Sequence, residues 1–280
     1  MRSIISRIVR KFCSFFPRPV KYLPVYVPVL ESELLKDRVA LVTGGTGGIG
    51  FAIAEAYLKA GARVIIAGRN EQRLAEAVEK LKQIGEVLSI VLDVLKPESF
   101  QTALDTIGRF DILVNNAGYV GGGWFGCTEV VEYEKTLDTN LKGTYFLSQA
   151  VSKQWIQNGI KGNILNVCSA SSLRPGNSPY ILSKWGLRTL TVGMARDLIC
   201  HGIVVNGIAP GCTNTPQFCD ENRCDITNKR NPTHRLVTMQ EVANLSVVMV
   251  SALAKMVVGD ILYVTGGGAI TTFDDGWAAD

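Results

Sequence analysis

From residue 37 to about residue 264, short runs of apolar and β-branched residues alternate with longer segments of helical periodicity. Such runs are typical of parallel strands that are buried on both faces and connected by helices. The predicted strands are Arg38–Thr43, Arg63–Ala67, Val87–Leu92, Asp111–Val114, Asn163–Val167, Ile203–Ile208 and Ile261–Val264. The predicted helices lie near residues 48–60, 70–83, 97–107, 129–158, 178–200 and 239–253. This alternation predicts an α/β domain with a doubly wound, mostly parallel seven-stranded sheet and helices on both faces.

The predicted domain organisation is an extension over residues 1–36 followed by one large domain over residues 37–280. A domain of that length can bury a substantial core without disulfides or metals. Its longest irregular segment runs over about residues 212–237. Because a long loop in a compact domain is usually functional or mobile, we interpret this segment as a substrate loop.

Charge is distributed unevenly along the chain. Residues 1–30 hold six of the 29 basic residues and no acidic residue, which leaves 23 basic against 25 acidic residues in the remainder. A nucleic-acid-binding domain would carry a basic excess, so we expect no nucleic acid partner for the main domain.

The seven cysteines show neither a CxxC pair nor the framework of a disulfide-rich secreted domain. This favours a reducing, cytoplasmic location. Cys212, Cys219, Cys224 and His234 lie in one stretch, but their spacing matches no zinc pattern. We therefore predict no metal site.

A glycine-rich turn follows the first predicted strand and opens the first helix. Glycines in that position bring backbone N–H groups close to a pyrophosphate at the positive end of a helix. The spacing is GxxxGxG rather than the more common GxGxxG, so a plain tight turn is an alternative interpretation. The predicted cofactor-binding residues of this turn are Gly44, Thr46, Gly48, Ile49 and Gly50.

Arg69 stands where the second predicted strand ends. An acidic residue there would bond the ribose 2′-hydroxyl of NAD, whereas a cation accommodates the 2′-phosphate of NADP. The sequence therefore favours NADP(H) over NAD(H), with a solvated helix-start arginine as the alternative.

Further motifs follow in a fixed order along the chain. With the glycine-rich turn they resemble the short-chain dehydrogenase/reductase superfamily, in its single-domain branch, over about residues 36–268. The segments that carry the resemblance are Thr43–Gly50, Asp93-Val94, Asn115-Asn116-Ala117-Gly118, Asn140, Ser169, Tyr180-Ile181-Leu182-Ser183-Lys184 and Pro210-Gly211.

The resemblance implies a Rossmann fold and an NAD(P)-dependent oxidoreductase that acts on CH–OH donors. It also implies that Asp93 and Val94 hold the adenine and that Asn116, Ala117 and Gly118 line the cofactor cleft. The family residues along the nicotinamide side correspond to Pro210, Gly211, Thr213 and Thr215.

Tyr180 and Lys184 are the predicted centre of the chemistry. Reduction of a carbonyl needs a proton donor at the oxygen while nicotinamide delivers hydride to the carbon. A tyrosine hydroxyl can donate that proton, and a nearby ammonium favours the phenolate that remains. The spacing of four places both side chains on one face of a helix. The resemblance adds a bond from Lys184 to the nicotinamide ribose.

Two further catalytic residues are implied by the family pattern. Ser169 corresponds to the serine that donates a hydrogen bond to the substrate oxygen. It precedes Tyr180 by 11 positions rather than the more common 13, so Ser171 and Ser172 are alternatives. Asn140 corresponds to the asparagine that holds an ordered water next to the lysine; the alternative is a kink inside a helix.

Two other departures from the family pattern stand near the cofactor cleft. Thr213 replaces the usual apolar residue after Pro-Gly, which can alter a carboxamide contact. Thr265 begins a Thr-Gly-Gly segment where Asp-Gly-Gly is frequent, which points to a changed subunit or local turn contact.

Residues 3–16 have the pattern of a basic amphipathic helix. Three interpretations remain open: peripheral contact with an anionic membrane, a mitochondrial targeting segment, or packing against the domain or a second subunit. On a wheel of ~100° per residue, one arc of roughly 140° holds Ile4, Ile5, Ile8, Val9, Phe12, Phe15 and Phe16.

The sequence thus predicts an NADP(H)-dependent oxidoreductase that interconverts a carbonyl and a secondary alcohol of a small molecule. A 3-oxoacyl thioester reductase and a sugar or polyol oxidoreductase are alternative specific activities, because the fold determines only the reaction class. A non-catalytic nucleotide-binding regulatory or scaffold protein is the alternative of another class. By resemblance, we expect a homodimer or homotetramer.

Overall fold

The computed structural model describes residues 33–216, 225–229 and 231–269, and it confirms the predicted α/β architecture. Every predicted strand and helix is present, with ends that differ by a few residues from the sequence prediction. The strands are β1 (Val39–Thr43), β2 (Arg63–Gly68), β3 (Val87–Val91), β4 (Ile112–Asn115), β5 (Asn163–Val167), β6 (Val204–Pro210), β7 (Thr213–Asn214), β8 (Val237–Thr238) and β9 (Ile261–Val264). The α-helices are α1 (Gly48–Lys59), α2 (Glu71–Leu81), α3 (Phe100–Thr106), α4 (Val130–Leu137), α5 (Gly143–Gln157), α6 (Pro179–Leu198) and α7 (Met239–Val250).

Seven strands form one parallel sheet in the order β3-β2-β1-β4-β5-β6-β9. Apolar clusters cover the sheet where helices pack on both faces. The strand order reverses between β1 and β4, which opens a crevice at the carboxyl ends of these strands. Ligands of doubly wound sheets bind at that edge.

The structure corrects the interpretation of residues 212–237 as irregular throughout. Thr213 pairs with Val237 and Asn214 pairs with Thr238, so β7 and β8 form a small parallel sheet that joins the two ends of the segment. A pair of two-residue strands is too short to give a periodic sequence signal.

The predicted helix over residues 129–158 contains a π-helical turn at Asp138–Lys142, between α4 and α5. The N–H of Gly143 bonds to the carbonyl of Asp138, five residues earlier. A Cβ on Gly143 would lie 2.6 Å from the carbonyl oxygen of Val94, so only glycine allows α5 to begin this close to the sheet edge. Turns of this type are frequent at functional sites.

The proposed amphipathic helix at residues 3–16 lies outside the described residues and stays a prediction. The described chain starts with a short 3₁₀ helix, Glu33–Leu35. Leu35 is fully buried, and its N–H donates to the carbonyl of Ala60, so the last part of the predicted extension packs on the domain. None of the helices in the described part of the chain is long and apolar enough to cross a membrane.

Candidate active site

The predicted site residues come from distant parts of the chain, yet they meet along one edge of the sheet. Thr43, Gly68, Asn115, Val167 and Pro210 end strands β1, β2, β4, β5 and β6. The strands are parallel, so their carboxyl ends all point to the same side. The glycine turn follows β1 directly, the NNAG and Pro-Gly segments begin at the last residues of β4 and β6, and Ser169 follows β5 after one residue.

The glycine-rich turn leaves an open cradle at the amino end of α1. A Cβ on Gly47 or Gly48 would meet no atom within 4 Å, and Gly48 has the left-handed φ of +57°. The first N–H groups of a helix lack partners within the helix. Open space beside unpaired N–H groups and a positive helix end fits a phosphate group of a dinucleotide.

Asn116 braces this turn from the neighbouring strand. Its Nδ2 donates to the carbonyl oxygens of Thr43 (3.0 Å) and Gly44 (3.2 Å). The hydroxyl of Thr43 in turn accepts from the backbone N–H groups of Asn116 and Ala117, both at 3.0 Å. The side chain of Asn116 therefore supports the cleft, and Ala117 and Gly118 present mainly backbone to it.

The predicted adenine and ribose residues lie at the ends of β2 and β3. Arg69 is exposed, and no carboxylate of a described residue pairs with it. Thr46 lies next to this position, because a Cβ on Gly68 would be 3.2 Å from its methyl group. Asp93 accepts a hydrogen bond from the N–H of Leu95 at 3.1 Å, which fixes the turn after β3.

Tyr180 and Lys184 occupy the first turns of α6. Ser178 caps the amino end of this helix, and Pro179 is its first residue. Lys184 is only 6% exposed, and its Nζ lies 5.8 Å from the centre of the Tyr180 ring. The ammonium donates to the carbonyl oxygen of Val167 at 2.9 Å, and no carboxylate of the described residues pairs with it. A buried ammonium with a single neutral partner keeps hydrogen-bonding capacity for groups in the cleft.

Asn140 lies inside the π-helical turn and is 1% exposed. Its side chain accepts from the N–H of Tyr119 (2.7 Å) and donates to the carbonyl of Tyr119 (2.9 Å) and to the Ser183 hydroxyl (3.0 Å). The Ser183 hydroxyl donates to the carbonyl of Tyr180 at 2.7 Å. Asn140 is thus connected to the tyrosine helix through Ser183 and to the segment after β4 through Tyr119, two contacts that the sequence did not indicate.

The three candidate serines have different surroundings. Ser172 is fully buried, and its hydroxyl donates to the carbonyl of Ser169 at 2.7 Å. Ser169 follows β5, and its Oγ accepts from the N–H of Ser171 at 3.1 Å, which leaves its own hydroxyl hydrogen free to donate. Among the three, Ser169 combines the position at the sheet edge with an available donor.

A buried polar network beneath the site was not predicted. The amide Nδ2 of Asn115 donates to the Ser148 hydroxyl and to Oδ1 of Asn166, both at 2.9 Å. Nδ2 of Asn166 donates to the Thr191 hydroxyl at 2.9 Å. The network joins β4 and β5 to α5 and α6, so it fixes the strand that carries Ser169 relative to the helix that carries Tyr180.

Residues 210–215 follow β6 at the same edge. Gly211 donates its N–H to the carbonyl of Val264 at 2.9 Å. Thr213 is buried, and its hydroxyl donates to the carbonyl of Gly211 at 2.9 Å, so the polar replacement is satisfied locally. The N–H of Thr215 bonds to the carbonyl of Thr213.

The Thr-Gly-Gly segment contacts the side chain of Asn231, 34 positions earlier in the chain. Asn231 is buried, and its Nδ2 donates to the carbonyls of Arg235 (2.8 Å) and Thr265 (3.1 Å). The departure at Thr265 therefore lies where the end of the domain packs on the segment that precedes β8.

No group of three or more His, Cys, Asp or Glu side chains within the described ranges could hold a metal ion. Cys219 and Cys224 lie outside those ranges. Cys168, next to Ser169, is buried, and burial raises the pKa of its thiol. A thiol in such surroundings resists conversion to the thiolate that binds metals.

Residues 38–224 match the family model for short chain dehydrogenases. A gluconate 5-dehydrogenase from Gluconobacter oxydans is 34% identical over 81% of this chain and 93% of that protein. A 3α-hydroxysteroid dehydrogenase from Mediterraneibacter gnavus is also 34% identical, over 83% of this chain and 97% of that protein. The solved structure of a gluconate 5-dehydrogenase from Burkholderia cenocepacia J2315, in complex with NADP and tartrate, is similar with a TM-score of 0.78 and 31% identity, over 87% of this chain and 99% of that one.

Proposed function

Because this chain belongs to the short chain dehydrogenase family, we propose that it interconverts a carbonyl and a secondary alcohol with NADP(H), using Tyr180 as the general acid and base. Membership of the family makes the chain an NAD(P)-dependent oxidoreductase that acts on alcohol or carbonyl groups. The proposal adds the cofactor preference and the role of each residue.

The observation that carries the proposal is the buried ammonium of Lys184, 5.8 Å from the Tyr180 ring centre. An ammonium at this position attracts the negative charge that develops on the tyrosine oxygen while its proton moves to the substrate. Its bond to the Val167 carbonyl fixes the lysine side chain against β5. Proton transfer therefore needs little rearrangement of the lysine.

In the direction of reduction, the Tyr180 hydroxyl donates its proton to the carbonyl oxygen of the substrate. NADPH, when held by the glycine turn and Arg69, would supply the hydride to the carbon. The Ser169 hydroxyl donates a hydrogen bond to the same oxygen, where negative charge develops. Asn140 acts from the π-helical turn, where it holds the backbone of Tyr119 and donates a hydrogen bond to Ser183 on the tyrosine helix. In oxidation the phenolate takes the proton back.

Arg69 supports the preference for NADP(H) in this proposal. Its guanidinium is exposed at the end of β2 and has no carboxylate partner in the described residues, so it is available to a 2′-phosphate. The similar structure from Burkholderia cenocepacia J2315 was solved with NADP.

We also propose that the chain forms a homodimer or homotetramer, with residues 37–280 as its oxidoreductase domain. Helices α5 and α6 expose several large apolar side chains. Exposed apolar surface of this kind is typical of a subunit contact. These side chains are Tyr145, Phe146 and Ile156 on α5, and Leu182, Trp185 and Val192 on α6.

The test is the turnover of carbonyl substrates, followed by NADPH absorbance, in the wild type and in Tyr180→Phe. Loss of a general acid typically costs about 10²- to 10⁴-fold in kcat. Tyr57→Phe is the matched control, because it removes a buried phenol oxygen whose one hydrogen bond among the described residues is to the Ser246 carbonyl, on α7. NADPH affinity should be similar in all three proteins.

Turnover that is undiminished in Tyr180→Phe would refute the assigned role. Binding of NADPH without turnover of any carbonyl or alcohol would instead favour the non-catalytic alternative.

A further inference from the structure

A turn rich in glycine and aromatic residues follows Gly118. We call residues 119–128 the aromatic turn. At its tip the side chains of Trp124 and Phe125 are 62% and 87% exposed. Adjacent aromatic side chains with this exposure usually mark a surface that binds something. No role in the proposed chemistry accounts for them.

The aromatic turn packs against the segment that connects Ser169 to Tyr180. The N–H of Phe125 donates to the carbonyl of Asn177 at 2.9 Å. A Cβ on Gly122 would lie 2.8 Å from Cγ of Pro179, the residue that precedes Tyr180. The exposed rings are therefore carried by a turn anchored next to the proposed acid, which favours a substrate over a distant partner as their occupant.

The polar side chains of the aromatic turn are already used by the turn itself. The thiol of Cys127 and the hydroxyl of Thr128 both donate to the carbonyl of Trp124, at 3.2 and 3.0 Å. The hydroxyl of Tyr119 donates to Glu132 at 2.7 Å. Residues 120–126 contain no charged or hydroxyl-bearing side chain, so the indole N–H of Trp124 is their one side-chain hydrogen-bonding group.

Lys135, on the helix that follows, is also engaged. Its Nζ lies 4.0 Å from the centre of the Tyr119 ring and 3.4 Å from the Glu132 carboxylate. Residues 119–135 therefore offer no unengaged cation to an acidic sugar, because their single cation already has an anionic and an aromatic partner. A substrate rich in hydroxyl groups would lose water against Trp124 and Phe125 without gaining hydrogen bonds there.

We propose that the aromatic turn recognises a substrate whose carbonyl or alcohol is carried on an apolar ring system. The rings of Trp124 and Phe125 pack against the body of that substrate, since flat apolar surfaces gain most from contact with one another. This inference rests on the proposed function, because it assumes that the reacting carbon lies beside Tyr180.

The test measures binding separately from turnover. Calorimetry gives the Kd of two probes for the complex of the Tyr180→Phe chain with NADPH. The probes are decalone, an apolar fused-ring ketone, and fructose, a polyhydroxylated sugar that is a ketone in its open-chain form. The same titrations are made after replacing Trp124 and Phe125 by Ala, and after Met256→Ala. Met256 is 91% exposed in the connection that leads into β9, at the opposite edge of the sheet, and serves as the matched control.

We expect decalone to bind more tightly than fructose. Loss of both rings should weaken decalone binding roughly 10- to 100-fold, as expected for two lost apolar contacts, whereas Met256→Ala should change it little. In the chain that retains Tyr180, kcat/KM for decalone should fall by the same factor. Because both rings are exposed, their removal should spare the fold.

The inference would be overturned if fructose bound as tightly as decalone or more tightly, or if decalone did not bind. It would also be overturned if replacing Trp124 and Phe125 by Ala left decalone binding unchanged. Failure of the proposed function has a different signature: turnover that survives Tyr180→Phe, whichever probe is bound.

Discussion

Gly50, in the first turn of α1, has no room for a side chain. A Cβ there would lie 2.3 Å from Nδ2 of Asn116 and 2.4 Å from the carbonyl oxygen of Gly44. Gly50→Ala must therefore displace the Asn116 amide and break its two hydrogen bonds, to Thr43 and Gly44. Overpacking costs about 1–3 kcal/mol, and each lost bond about 0.5–1.5 kcal/mol. We expect the free energy of unfolding to fall by about 2–6 kcal/mol.

Gly47, three residues earlier, is the matched control. A Cβ there meets no atom within 4 Å, and its φ of −176° is open to any residue. Gly47→Ala should lower the free energy of unfolding by no more than about 1 kcal/mol. The small loss arises because alanine is a poorer N-cap residue than glycine.

Urea unfolding of the cofactor-free chains at one protein concentration gives both values. Gly50→Ala should also weaken NADPH binding, because the glycine turn loses its brace. Equal losses of stability in the two variants would show that the close contact at Gly50 is relieved without cost, and would refute the reasoning.

Three further predictions concern charge and buried polarity. Arg69→Asp should weaken NADPH roughly 10- to 100-fold more than NADH in fluorescence titrations, because only NADPH carries the 2′-phosphate; equal losses would contradict the cofactor assignment. Bidentate hydrogen bonding to Arg235 lowers the pKa of Glu241. The resulting stability is complete above the ordinary carboxyl pKa near ~4.3 and is lost as pH falls through the lowered folded value. Glu241 also forms a capping box with Thr238 at the start of α7, and Gln suits that position. Glu241→Gln should therefore lose less than about 1 kcal/mol at pH 7, and its gap from the wild type should narrow in urea titrations as pH is lowered from 7 to 3; a constant gap would argue against the ion pair. Asn166→Ala should lower the free energy of unfolding by about 2–4 kcal/mol, because it strips partners from Asn115 and Thr191 in the core, and a loss below about 1 kcal/mol in urea unfolding would contradict a structural role for the network.

Long-range architecture was predictable where the sequence repeats a physical pattern. The strand at Asn163–Val167 was predicted to the residue, because an apolar run between polar and glycine-containing turns has one simple interpretation. The glycine-rich turn between β1 and α1 was predictable for the same reason, since glycines clustered after a strand indicate a tight turn into a helix.

Local hydrogen bonding was less predictable. Residues 129–158 have continuous helical periodicity, and the π-helical turn around Asn140 depends on packing of Gly143 against Val94, which lies far away in the sequence. The choice between Ser169 and Ser172 depends on where a hydroxyl points, which spacing alone does not determine. In the sequence, Asn115 and Asn166 are polar residues within or next to apolar runs. The hydrogen bond between them forms only when β4 and β5 align.

The small sheet of β7 and β8 has a consequence for how this protein can diverge. Pairing of Thr213 with Val237 brings the ends of the intervening segment together, whatever that segment contains. The entropy of closing a loop grows only with the logarithm of its length, by about 0.6 kcal/mol for each doubling. Insertions and deletions between these two strands are therefore inexpensive for the domain. Under our interpretation of this segment as a substrate loop, substrate specificity can change there while Tyr180 and Lys184 stay on α6.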